Sequence, residues 1–95
     1  MSNRIDSTFA RLRQCQEKAF VAYVAAGDPD FETSLEIIKS LADAGADIIE
    51  LGLPFSDPLA DGIVNQMAAE RALKAGMSTA RSIELIRRFR ETHQT

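Results

Sequence analysis

Ile49-Glu50-Leu51-Gly52-Leu53-Pro54-Phe55-Ser56-Asp57-Pro58-Leu59-Ala60-Asp61-Gly62 is the stretch on which the reading of this 95-residue chain turns. With Ile48 ahead of it, the run 48–53 is short, apolar and partly β-branched, the composition of a strand. Pro54 ends that strand because its nitrogen has no hydrogen to donate to a ladder. Side chains alternate along a strand, so Ile48, Glu50 and Gly52 share one face and Ile49, Leu51 and Leu53 the other. One face therefore carries a carboxylate, with no basic residue in the strand to pair with it. The segment that follows holds Asp57, Asp61 and two prolines and closes on Gly62. In parallel α/β folds the carboxyl end of a strand is where ligands gather.

Upstream, residues 19–26 read Ala-Phe-Val-Ala-Tyr-Val-Ala-Ala and stop at Gly27-Asp28-Pro29. A continuous apolar run closed by a turn predicts a strand buried on both faces. Between the strands, Asp30 can cap a helix over 31–44 whose Phe31, Leu35, Ile38 and Ala42 recur at helical spacing before Gly45 ends it. Downstream, 63–75 read as a helix up to Gly76. Ser78 can cap a last helix carrying Ile83, Ile86 and Phe89, whose Arg87, Arg88 and Arg90 form a solvated outer face. At the start, Ile5, Phe9 and Leu12 mark a short amphipathic helix that must lie on something else.

Strand, helix, strand, helix is the grammar of a parallel sheet joined by right-handed crossovers. Two strands leave both edges open, so the pattern predicts a piece of a larger α/β fold. The run ends at His93-Gln94-Thr95, where a third strand would be expected; on this reading the chain is a truncated or incomplete product. His93 reads as a solvated residue or one that complements a helix dipole. In a closed barrel Ile49, Leu51 and Leu53 lie under the helices and Glu50 points to the interior. An enclosed carboxyl without a charge partner suits an acid/base that both gives and takes a proton. A buried structural glutamate satisfied by backbone or water fits that position equally well. Asp61 can be functional or simply the N-cap of the helix beginning at Ile63, with Asp57 solvated.

Composition narrows the alternatives. The chain is 45% hydrophobic and 26% charged, as ordinary globular proteins are. Eleven basic against fourteen acidic side chains give a net charge of −3, which offers no general attraction for nucleic acid or anionic lipid. No apolar run approaches a membrane span, and the first twenty residues lack the pattern of a signal peptide, so a cytoplasmic location is expected. Cys15 is the sole cysteine, which rules out an internal disulfide or a thiolate metal cluster.

The fourteen residues from Ile49 to Gly62 resemble the signature of tryptophan synthase α subunits. The flanks are similar too: residues 20–29 look like the family's first strand and Gly-Asp-Pro turn, and Ala42-Asp43-Ala44-Gly45-Ala46-Asp47 like its lead into the second strand. Glu70-Arg71-Ala72-Leu73 and Ala75-Gly76 extend the likeness over nearly the whole chain. The resemblance implies a (β/α)8 TIM barrel, of which residues 1–95 would supply the amino-terminal helix and the first two βα units as part of a single domain. The first helix would then cover the barrel's bottom.

The resemblance also implies an activity: retro-aldol cleavage of indole-3-glycerol phosphate to indole and glyceraldehyde 3-phosphate, in tryptophan biosynthesis. The family uses no metal or organic cofactor for it. Glu50 matches the general acid/base, Asp61 the carboxylate that hydrogen-bonds the indole N–H, and Tyr23 an aromatic placed against the substrate ring. Tyr23 is also consistent with barrel packing. The loop 54–62 is similar to the segment touching the β subunit, the pyridoxal phosphate-dependent partner that receives indole, and Pro54 and Asp57 are its contact candidates.

Ile63 departs from the family, which usually opens the helix after Asp61-Gly62 with proline, and Ala22 stands where the first strand often has proline. The family's phosphate site comes from later loops, so residues 1–95 alone are expected to be inactive. Two other readings remain: a non-catalytic folding or assembly fragment that self-associates through open sheet edges, and a barrel acting on another sugar phosphate.

Overall fold

The computed structural model describes residues 3–54 and 62–95. Its elements, in chain order, are α1 (Arg4–Gln14), β1 (Val21–Ala25), α2 (Phe31–Asp43), β2 (Ile48–Gly52), α3 (Ile63–Lys74) and α4 (Thr79–Arg90). β1 and β2 pair in parallel, with Val21 opposite Ile48, Tyr23 opposite Glu50 and Ala25 opposite Gly52. Each strand is shorter than its apolar run, because the ladder ends where the chain turns out toward the next helix.

The local signals act where the sequence places them. The Asp30 carboxylate accepts the Thr33 N–H at 2.8 Å and also the Thr33 hydroxyl at 3.0 Å. The Ser78 hydroxyl accepts the Arg81 N–H at 3.2 Å, and Asn3 caps α1 by accepting from Asp6. Asp30→Ala leaves first-turn donors of α2 without that partner and is expected to lower stability by about 0.5–2 kcal/mol, read from a urea midpoint.

One face of the sheet is covered and the other is open. Phe31, Leu35 and Ile38 of α2 and Leu85 and Phe89 of α4 form a core with Ala26, Ala72 and Met77, and Val24, Ile49 and Leu51 of the strands pack against it. Arg81 and Arg88 lie over the Phe31 ring, 4.7 and 5.6 Å from its centre. Arg88 also grips Glu32 with both terminal nitrogens, linking α4 to α2. α1 sits at the amino-terminal end of the sheet, with Leu12 buried and Arg11 3.8 Å from Asp47. Asp47 also accepts the Phe20 N–H at 2.8 Å. This is the bottom position expected for α1.

Two expectations need correction. β1 is covered on one face only, since Val21 and Tyr23 are exposed. In α4 the buried residues are Ser82, Leu85 and Phe89, while Ile83 and Ile86 are exposed. The causes differ: Val21 and Tyr23 lie on the face turned away from α2 and α4, whereas Ile83 and Ile86 extend beyond the narrow two-stranded sheet that α4 helps to cover. The radius of gyration agrees, 14.3 Å against about 12.4 Å for a compact domain of this length.

α3 differs from its neighbours. Its buried residues are three alanines, Ala68, Ala69 and Ala72, and its N-cap Gly62 makes no side-chain cap bond. The cap position is therefore not Asp61. Ile63 and Val64 in its first turn are each 73% exposed. No helix among the described residues is long and apolar enough to cross a membrane.

Candidate active site

The open sheet face brings two of the sequence-derived candidates together. Tyr23 and Glu50 are register partners on adjacent parallel strands, so their side chains stand side by side on the face turned away from α2 and α4. The Tyr23 ring reaches one pair further along and lies over Gly52, where an added Cβ would overlap the tyrosine hydroxyl. Gly52→Ala must push the ring away. The expected cost is about 1–3 kcal/mol, and tyrosine emission reports the displacement directly because the chain has one tyrosine and no tryptophan.

Glu50 is exposed, not enclosed. Among the described residues nothing covers its face, since enclosure of that position depends on strands other than β1 and β2. Pro54 is half-buried just beyond the end of β2, where the strand hands over to the next segment. Asp57 and Asp61 lie outside the described residues.

At the carboxyl end of β1 a cavity of about 220 Å³ opens between the strand, α2 and α3, with Tyr23, Asp28, Asn65 and Arg71 among its lining residues. The turn beside it is closely packed. Gly27, at φ +86°, donates its N–H to the buried Ser34 hydroxyl at 3.0 Å, and Met77 is seated where a side chain at position 27 would be. Next to it, Arg71 grips Asp28 with two parallel bonds, Nε to Oδ1 at 2.7 Å and Nη2 to Oδ2 at 3.0 Å. These hydrogen bonds raise the Arg71 guanidinium above its ordinary value, so it is a permanent cation. Sequence reasoning missed this pair. Asp28 and Arg71 are 43 residues apart, and no spacing rule connects a turn residue to the outer face of a later helix.

His93 is also placed differently from expectation. Its Nε2 lies 2.7 Å from an Asp43 carboxylate oxygen, its Nδ1 2.6 Å from the Thr92 hydroxyl, and its ring stacks on Phe89 at 4.9 Å. A carboxylate only accepts, so Nε2 carries a hydrogen. His93 thus fastens the end of α4 to the end of α2.

An open parallel βα arrangement, with a carboxylate and an aromatic ring on the uncovered face and a cavity at the strands' carboxyl end, defines a segment of a (β/α)8 barrel. The comparisons narrow the class. The sequence pattern described as tryptophan synthase alpha chain matches residues 9–95, and the chain belongs to that family.

Solved structures agree. The chain superposes on tryptophan synthase subunit alpha from Legionella pneumophila str. Paris with a TM-score of 0.94 at 41% identity, covering 98% of this chain and 36% of that one. Against Mycobacterium tuberculosis tryptophan synthase the TM-score is 0.85 at 31% identity, covering 90% and 34%. A mutant α subunit from the hyperthermophile Pyrococcus furiosus gives 0.74 at 40% identity, covering 79% and 30%. The chain thus spans about a third of the length of these relatives, as a partial TIM barrel does. Members of the family are lyases of tryptophan biosynthesis.

Proposed function

We propose that residues 1–95 are the acid/base-bearing part of an indole-3-glycerol-phosphate lyase. They would act within a single (β/α)8 domain, in the cytoplasm, without metal or organic cofactor. The observation that carries this reading is the pairing of Glu50 with Tyr23 on the open face of the sheet, beside the end where parallel folds bind ligands.

The chemistry needs a group that both gives and takes a proton. Protonation of the indole C3 turns the ring into an electron sink. Loss of the proton from the adjacent glycerol hydroxyl then forms the aldehyde, and the carbon–carbon bonding pair flows back into the ring to restore indole. Glu50 serves these transfers, since one carboxyl can deliver a proton and recover one with no net change. Asp61 stays an anion against the indole N–H, where positive charge develops. Tyr23 packs against the ring. Pro54 and Asp57 face the β subunit, which takes the indole and carries the pyridoxal phosphate.

The test is a hybrid in which residues 1–95 are followed by the remaining length of the Legionella pneumophila relative. It should release indole from indole-3-glycerol phosphate, and residues 1–95 alone should not, because binding energy at the phosphate drives catalysis as well as affinity. A hybrid with native-like circular dichroism and no indole release overturns the reading.

The uncovered sheet favours a second reading for the 95-residue chain by itself: an assembly unit that pairs through the open edges of β1 and β2. Sedimentation equilibrium decides it, since a monomer at micromolar concentration is incompatible with edge pairing.

A further inference from the structure

α3 is the least anchored helix at the candidate site. It begins at Ile63, two residues after Asp61 in the chain, yet it buries only alanines, its cap position is a glycine without a side-chain bond, and its first turn is exposed. Three alanines bury little apolar area, so packing alone leaves the bearing of the helix weakly determined. A contact that bears directly on it is the two-bond Arg71–Asp28 pair. A guanidinium holding both oxygens of one carboxylate fixes distance and plane together, which a single point charge does not. The anchor itself is firm. Asp28 is 19% exposed and sits in the turn after β1, next to Gly27, whose N–H is held by Ser34 and whose open side is filled by Met77.

We propose that Arg71 and Asp28 are positioning residues that clamp α3 against the carboxyl end of β1. Because α3 begins two residues after Asp61 in the chain, its bearing acts on the carboxylate proposed to hold the indole N–H. The inference rests on the proposed lyase reading. An exposed ion pair adds little to global stability, whereas misplacing a substrate-orienting group by an ångström costs up to about a hundredfold in rate. The signature is therefore a loss in turnover out of proportion to any loss in stability.

The experiment is a double-substitution cycle in the hybrid barrel, with kcat, KM and melting temperature measured for Asp28→Asn, Arg71→Met and the pair. Each single change should lower kcat by about tenfold to a hundredfold while KM stays within about twofold and the melting temperature barely moves. The double variant should be no worse than the poorer single one, because both remove the same contact. Arg71→Lys, which keeps the charge but loses the fork, should recover only part of the rate. A kcat within twofold of the parent in both singles overturns the clamp, as does a kcat loss that simply follows the unfolded fraction.

Glu50→Gln in the same hybrid separates the two ideas. If it is as active as the parent, the lyase assignment of Glu50 fails; if it is inactive while Arg71→Met is fully active, only the clamp fails. Amide hydrogen exchange on the 95-residue chain gives a readout without activity. Arg71→Met should speed exchange across α3 at least tenfold while leaving α4 unchanged, and unchanged protection in α3 overturns the proposal.

Discussion

Glu50→Gln in the completed barrel is expected to reduce indole release by about a hundredfold to ten-thousandfold, the range over which a positioned acid/base contributes. Glutamine keeps the shape and one acceptor of the side chain but can neither deliver nor recover a proton. Glu50 stands on an open face beside Tyr23, not in the core, so the substitution should leave the melting temperature close to the parent's. Substrate affinity should change little as well, since neither Tyr23 nor any later phosphate loop is touched. A variant retaining most of the parent rate sinks the assignment. A variant that loses activity only in step with its fraction unfolded assigns Glu50 a structural role instead.

The second large effect concerns folding. Leu85→Ala is expected to cost about 2–5 kcal/mol, because Leu85 is fully buried between α4 and α2 and the vacated space cannot collapse without moving a helix. Globular proteins hold roughly 0.05–0.15 kcal/mol per residue, or about 5–14 kcal/mol for a chain of this length. With one sheet face open, the lower end applies. In the 95-residue chain the substitution should therefore remove most of the far-UV helical signal at 25 °C or shift the urea midpoint close to zero. Ile86→Ala, one residue along on an exposed position, should change the midpoint far less. Equal effects at the two positions would show that the α2–α4 core is not the structural centre of this chain.

The contrast between Leu85 and Ile86 shows where reading a sequence stops. Helical spacing predicts an apolar face on α4 at Ile83, Ile86 and Phe89, and of these only Phe89 is buried, beside Ser82 and Leu85. Which part of the face is buried depends on how wide a sheet lies beneath it, and spacing within one helix carries no information about that width. The same holds for Glu50. Alternation places it on the face opposite Ile49 and Leu51, as observed, but enclosure of that face requires strands other than β1 and β2.

The elements, their caps at Asp30 and Ser78, the parallel pairing and the family were legible from residues 1–95 alone, because each is encoded by neighbours within a few positions or by a contiguous motif. The Arg71–Asp28 clamp, the Tyr23 ring over Gly52 and the His93–Asp43 link were not. These contacts join residues 29 to 50 positions apart, and each exists only once helices and strands have been set at particular distances and angles. Local chemistry chose the elements of this protein; their packing chose which side chains meet.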